Sequence, residues 1–285
     1  ADEEKISSSL KRLCEEDPSL TVERKAETHE LLVSGMGQVH LDVSLERMKR
    51  RFGVEVDVKT PKVPYRETIR GSTKIQGRHK KQSGGRGQFG DTWIEISPME
   101  KGGGVVFENN IVGGAIPKTY IPAVEKGVQE AMEAGVIAGY PMVDIKIRLY
   151  DGSYHDVDSS EIAFKIAGSI GFKKGVPECR PILLEPIMIM DIVVPSEFVG
   201  DVMGDLNSKR GKVLGIDADD DNQSIRAQVP MAEVLNYAAD INSMTSGKGV
   251  FTMEFDHYND LPEHLKSKIV EESQKAREGA TKDKS

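Results

Sequence analysis

Residues 187–206 read Ile187-Met188-Ile189-Met190-Asp191-Ile192-Val193-Val194-Pro195-Ser196-Glu197-Phe198-Val199-Gly200-Asp201-Val202-Met203-Gly204-Asp205-Leu206. The nearly unbroken apolar run from 187 to 194 has the length and β-branched content of a buried strand. Pro195 then opens a helix with Phe198, Val199, Val202, Met203 and Leu206 on one side, closed by Lys209, Arg210 and Gly211. Downstream, Lys212–Ile216 and Ser224–Val229 predict a hairpin around an acidic turn. Met231, Val234, Leu235 and Ala238 predict a second helix, and Phe251, Met253 and Phe255 a closing strand. Strand-helix-strand-strand-helix-strand is the ferredoxin-like split βαβ unit. Leu261-Pro262 introduces a charged terminal helix, and Gly279–Ser285 a frayed tail.

At the other end of the chain the same order recurs without its opening strand. Ile6, Leu10, Leu13 and Cys14 mark a helix that Asp17-Pro18 stops. Thr21–Arg24 and Glu30–Val33 are strand candidates around a polar turn. Met36, Val39 and Val43, with Leu41, Leu45, Met48 and Phe52 on an adjoining stripe, predict a helix ended by Gly53. Val54, Val56 and Val58 alternate with charged residues and predict a half-buried strand. Between Val63 and Arg180 the pattern differs. Strand-like stretches at 74–80, 92–97, 105–108 and 143–150 are interleaved with helices near 120–134 and 158–174. Asp158-Ser159-Ser160-Glu161 has the spacing of a capping box. The expected class is therefore α+β, with two ferredoxin-like units flanking a different middle domain.

Composition narrows the function classes. A chain of 285 residues fits two or three domains. Its 38 Lys+Arg against 46 Asp+Glu leave a net charge of −8, so any nucleic-acid contact must come from a local patch. No apolar run nears the ~20 residues that span a bilayer, and Ala1-Asp2-Glu3-Glu4 is no signal peptide. Cys14 and Cys179 sit far apart and outside any CxxC, which disfavours a disulfide scaffold and a zinc site and fits a reducing cytosol.

One patch stands out. Residues 70–90 hold Arg70, Lys74, Arg78, Lys80, Lys81 and Arg86 and contain no Asp or Glu. Gly77, Gly84, Gly85, Gly87 and Gly90 would let the backbone approach a phosphate, while the cations replace its counterions. Gln82, Ser83 and Gln88 add hydrogen-bonding groups, and the alternative is a solvated hairpin tip. Gly85-x-Gly87-x-x-Gly90 formally matches a dinucleotide fingerprint, but the following Asp91–Ile96 reads as a strand where that site needs a helix. No kinase motif accompanies it, and no G-x-x-x-x-G-K-[ST] occurs. The six His show no ligand spacing, so no metal site and no catalytic residue are expected. A second loop, Tyr150 to Asp156, places Tyr154 and His155 at an exposed tip suited to stacking or phosphate contact. The acidic turn at Asp217, Asp219, Asp220 and Asp221 reads as a solvated hairpin end.

Several strings together resemble the C-terminal half of elongation factor G. They are Ser34-Gly35-Met36-Gly37-Gln38-Val39-His40-Leu41, Lys81 to Gly90, Tyr154 to Ser160, Leu184-Glu185-Pro186-Ile187-Met188, and Gly200 to Asn207. The resemblance runs essentially the whole chain. It implies domain III over 1–67 and a ribosomal-protein-S5-like domain IV over 68–180, with tip loops 78–90 and 151–157. Domain V with the terminal helix would occupy 181–285. It further implies a ribosome-binding arm, cytoplasmic and monomeric, that promotes tRNA–mRNA translocation. Arg78, His79, Lys80, Lys81, Gln82, Ser83, Arg86, Gln88, Tyr154 and His155 would meet ribosomal RNA, the tRNA anticodon arm and mRNA. GTP and Mg would belong to an N-terminal half not contained in these residues, so this chain is not expected to be an enzyme by itself. Met231 to Tyr237, Asn242 and Gly90-Asp91-Thr92-Trp93 depart from the main factor and lean toward the second, paralogous elongation factor G of some bacteria. Ribosome recycling or ribosome protection is the alternative within the family. From another class, a stand-alone RNA-modifying enzyme on an S5-like fold would need carboxylates or a metal beside the basic loop.

Overall fold

Helix α1 (Asp2–Glu16) buries Leu10 and Leu13 and is followed by Asp17-Pro18, whose proline cannot continue it. The computed structural model describes residues 2–25, 28, 30–82, 87–219 and 221–282. Strands β1 (Thr21–Lys25) and β2 (Glu30–Ser34) pair antiparallel from Thr21↔Ser34 to Lys25↔Glu30 as a two-stranded sheet. Helix α2 (Gln38–Phe52) ends at Gly53, whose left-handed φ of 64° lets its N–H bond back to Lys49 O. Leu41, Leu45, Met48 and Phe52 join the α1 residues in a small core. Met36, Val39 and Val43 do not: they are 80%, 76% and 47% exposed. The strand expected at Val54, Val56 and Val58 is absent as well. Residues 53–65 are irregular, and Val58 is 70% exposed.

The middle region is built on a four-stranded sheet of order β4-β5-β7-β6, preceded by the short strand β3 (Arg66–Ile69). Its strands are β4 (Thr73–Lys81), β5 (Gln88–Pro98), β6 (Val105–Asn109) and β7 (Ile145–Ser153). β4–β5 and β5–β7 are antiparallel, and β6 runs parallel to β7 across the crossover helix α3 (Ile121–Glu133). Helix α4 (Glu161–Gly175) is capped by Ser160, whose hydroxyl accepts the Ala163 N–H at 3.2 Å. The cap is therefore one Ser reaching three residues on, and Glu161 falls in the first turn instead of closing a capping box from Asp158.

Helix α4 lies against the sheet and α3 through bare backbone. A Cβ on Gly77 of β4 would stand 2.1 Å from Ala167 O, and one on Gly90 of β5 2.6 Å from Ala163 O. A Cβ on Gly127 of α3 would stand 2.0 Å from Lys165 O. These contacts overturn one expectation: Gly77 and Gly90 serve helix–sheet packing, with Phe164, Phe172, Ile94 and Ile96 filling the core beside them.

The last sheet contains β8 (Pro181–Pro195), whose first four residues pair with β3 from Ile69↔Pro181 to Arg66↔Leu184. Helix α5 (Val199–Ser208) follows a 3-10 turn at Ser196–Phe198, and β9 (Lys212–Asp219) pairs with β10 (Asn222–Pro230). Helix α6 (Tyr237–Met244) and β11 (Val250–Asp260) complete the order β11-β8-β10-β9, which is the ferredoxin-like arrangement. Met190, Ile192, Val194, Val202, Leu206, Ile225 and Ala227 form its core. The helix expected through Met231, Val234, Leu235 and Ala238 starts later. Residues Met231–Glu233 make a 3-10 turn, and the buried stripe is Val234, Tyr237 and Ile241, leaving Ala238 exposed.

Contacts divide the chain into two compact units, 1–64 with 185–258, and 65–184 with 259–285. The terminal helix α7 (Glu263–Lys282), grouped by sequence with the last sheet, makes its contacts in the second unit. Leu261 and Ile269 pack with Ala138 and Leu183, and the Ser273 hydroxyl donates to Ala138 O. Its seat is shaped by Glu67, which is fully buried and accepts five consecutive backbone N–H groups. Val136 and Ile137 donate to Oε2 at 2.8 and 2.9 Å. Ala138, Gly139 and Tyr140 donate to Oε1 at 2.8, 2.7 and 3.1 Å. A buried carboxylate is tolerated when its lone pairs are filled in this way.

Candidate nucleic-acid interface

The basic hairpin is β4–β5, paired out to Lys81↔Gln88. Lys80, Lys81, Gln82 and Gln88 are exposed there, and His79 Nε2 lies 2.9 Å from Gln88 Oε1. Arg78 is exposed, with its guanidinium 5.6 Å from the centroid of the Phe89 ring. Ser83 and Arg86, both expected at the interface, lie outside the described residues.

The loop after β7 is stitched to this hairpin. Phe89 N donates to Asp158 O at 2.9 Å, and Phe89 O accepts from the Ser159 hydroxyl at 2.9 Å. Gly87 N donates to Asp158 Oδ1 at 2.9 Å. The same Ser159 Oγ accepts from His155 N at 2.9 Å, and Ser159 N donates to His155 O. Tyr154 and His155 are thus carried to the hairpin end, His155 with 58% of its side chain exposed. The Phe89 and His155 rings sit 6.5 Å apart.

Val157 N and Asp158 N both point at His155 Nδ1 at 3.3 Å, with Asp158 Oδ2 3.6 Å from the same nitrogen; the two N–H contacts favour the tautomer that carries its proton on Nε2. The ring therefore offers solvent an N–H donor, suited to a phosphate or base oxygen. Asp158 and Ser159, read from sequence as a helix start and as the end of the Tyr154–Ser160 string, are what hold the loop. A side chain whose partners lie about seventy residues away leaves no local signal.

Among the described residues, no group of three or more His, Cys, Asp or Glu is placed to hold a metal ion. The pKa of the buried Cys179 thiol is pushed up to about 11 by burial and by Glu178, so it stays protonated and poorly nucleophilic. No described helix is long and apolar enough to cross a membrane.

Comparison with known proteins covers almost the whole chain. Residues 1–60 match the family model described as "Elongation Factor G, domain III". Residues 61–180 match "Elongation factor G, domain IV", and residues 182–269 match "Elongation factor G C-terminus". A crystal structure from Thermus thermophilus superposes with a TM-score of 0.84 at 46% identity. The match takes in 96% of this chain and 41% of that one.

Proposed function

The chain belongs to the elongation factor G family, a family of translation elongation factors, and from that premise we propose that it is the ribosome-binding arm of such a factor. The observation that carries this reading is the lacing of Tyr154–Ser159 onto the β4–β5 hairpin, which gathers Lys80, Lys81, Gln82, Tyr154 and His155 at one end of the middle domain. Lys80 and Lys81 supply charge for RNA phosphates, and the His155 Nε2–H and Tyr154 ring supply hydrogen bonding and stacking. The arm acts by occupying space: a backed hairpin enters the region that tRNA leaves and opposes its return. The sequence has no P-loop, so this chain does not cradle a nucleoside triphosphate in that manner. Ribosome recycling is the alternative role, favoured by the departures at Asn242 and Gly90–Trp93.

Replacing Lys80, Lys81 and Arg86 with Glu in the full-length factor should weaken ribosome binding and lower its log–log salt slope by about 0.7 to 0.9 per lost contact. His155→Ala should slow tRNA–mRNA movement while leaving GTP hydrolysis near normal. Normal movement together with a loss of folding would return His155 to a structural role. Normal movement with impaired subunit splitting would assign recycling instead.

A further inference from the structure

The middle sheet has a second face that the tip does not explain. Helix α4 covers the side bearing Gly77, Gly90, Ile94 and Ile96. Alternation therefore places Lys74, Gln76, Arg78 and Lys80 of β4, and Phe89 and Trp93 of β5, on the opposite side. Register sets Gln76 beside Trp93 and Lys80 beside Phe89. Tyr150 of β7 belongs to this face too, because Lys74 Nζ stands 5.6 Å from its ring centroid. Phe89, Trp93 and Tyr150 are all partly exposed.

The carboxylates here are already engaged. Glu95 is bonded to Arg148, and Glu108 lies 2.7 Å from Lys146. Asp91 is buried, accepting from Gln76 at 2.8 Å and Ser153 at 2.9 Å. Register sets Lys74 beside Glu95 and Arg78 beside Asp91, and Lys74 adds to Arg148 in holding the Glu95 carboxyl below its usual range, but among the described residues neither cation closes to an ion pair, and both lie over aromatic rings. We propose that this open face is an RNA-binding platform in its own right, on which unpaired bases stack while the β4 cations track the strand's phosphates. Arg78 and Lys80 recur about 7 Å apart along the strand and Lys74 lies about 13 Å from Arg78, with the uncharged Gln76 between them, and aromatic faces beside them suit bases of any identity. An acidic peptide would satisfy the cations but leave the rings unused. The inference rests on the family reading only in making RNA the expected partner; Arg78, Lys80 and Phe89 are shared with the tip, whereas Lys74, Trp93 and Tyr150 belong to this face alone.

Trp93 is the sole tryptophan of the 285 residues, so its emission reports on this face alone. Titration of this chain with a short unstructured RNA oligonucleotide should quench Trp93, with quenching that fades steeply as salt rises. Lys74→Glu should lower the salt slope by about 0.7. Tyr150→Ala should weaken binding about fivefold or more. The oligonucleotide titration needs neither ribosome nor GTP, so its outcome is read apart from the translocation assay. RNA binding without a change in Trp93 emission, or quenching that survives Lys74→Glu intact, overturns the proposal. So does equal quenching by duplex RNA, which denies stacking, or by polyglutamate, which makes the partner an acidic protein.

Discussion

Residues 2–58 and residues 185–258 follow one plan and reach different outcomes. In the latter, the opening strand β8 runs through the middle of the sheet, flanked by the closing strand β11 on one side and the β9–β10 hairpin on the other. In the former, the β1–β2 hairpin and both helices form, but no strand precedes α1 among the described residues. The stretch at 54–58 has the alternation of a closing strand but pairs with no strand among the described residues and is irregular. Alternation makes a strand available, and a free neighbouring edge is what turns it into one.

The difference should be largest in hydrogen exchange. Amides of 189–194 and 225–229 should exchange about 100-fold or more slower than those of 22–25, 31–33 and 54–58, because a two-stranded hairpin opens far more readily than a four-stranded sheet. Equal protection would mean that the smaller core is self-sufficient. Next comes ion pairing. Arg210 donates to both oxygens of Glu185, at 2.7 and 2.9 Å, and Glu185 is only 3% exposed. Arg210→Ala should cost about 3–5 kcal/mol in urea unfolding, since it strands a buried carboxylate. Arg51→Ala, which breaks a pair with Glu16 on the surface of the smaller region, should leave the midpoint where it was. The finest distinction lies between the two closing segments. Phe251→Ala on β11, where the ring meets Tyr237 edge-on at 5.2 Å, should cost about 2 kcal/mol or more. Val58→Thr should change stability by less than about 0.5 kcal/mol. A comparable loss at Val58 would show that it is packed as Val54 and Val56 are, which join the first core.

Much of the fold could be read from local pattern. The split unit from 187 onward, the glycine-rich hairpin and the capped helix α4 all follow from periodicity and turn residues. What escaped depended on distant partners. The 231–238 stripe was read out of phase because Val234, Tyr237 and Ile241 are selected by the sheet they cover. Glu67 gives no signal, as a single Glu in a short strand, yet it organises a loop some seventy residues away. Gly77 and Gly90 looked like phosphate-approach glycines because a sequence does not reveal which backbone comes near. The candidate interface was legible in its charges and its histidine, whereas Asp158 and Ser159, which bring the two loops together, were not.

The glycine contacts beneath the hairpin also bear on mechanics. Where Gly77 and Gly90 meet α4, main chain rests on main chain, with no side-chain rotamer between them to turn under load. Close-packed interiors resist compression, and a joint without rotatable groups has little slack to take up. The β4–β5 projection is therefore a cantilever clamped along its root. A force met at Lys81 or Gln82 is passed into helix α4 and the core behind it before the strands can bend, and a methyl group added at either glycine would loosen the clamp.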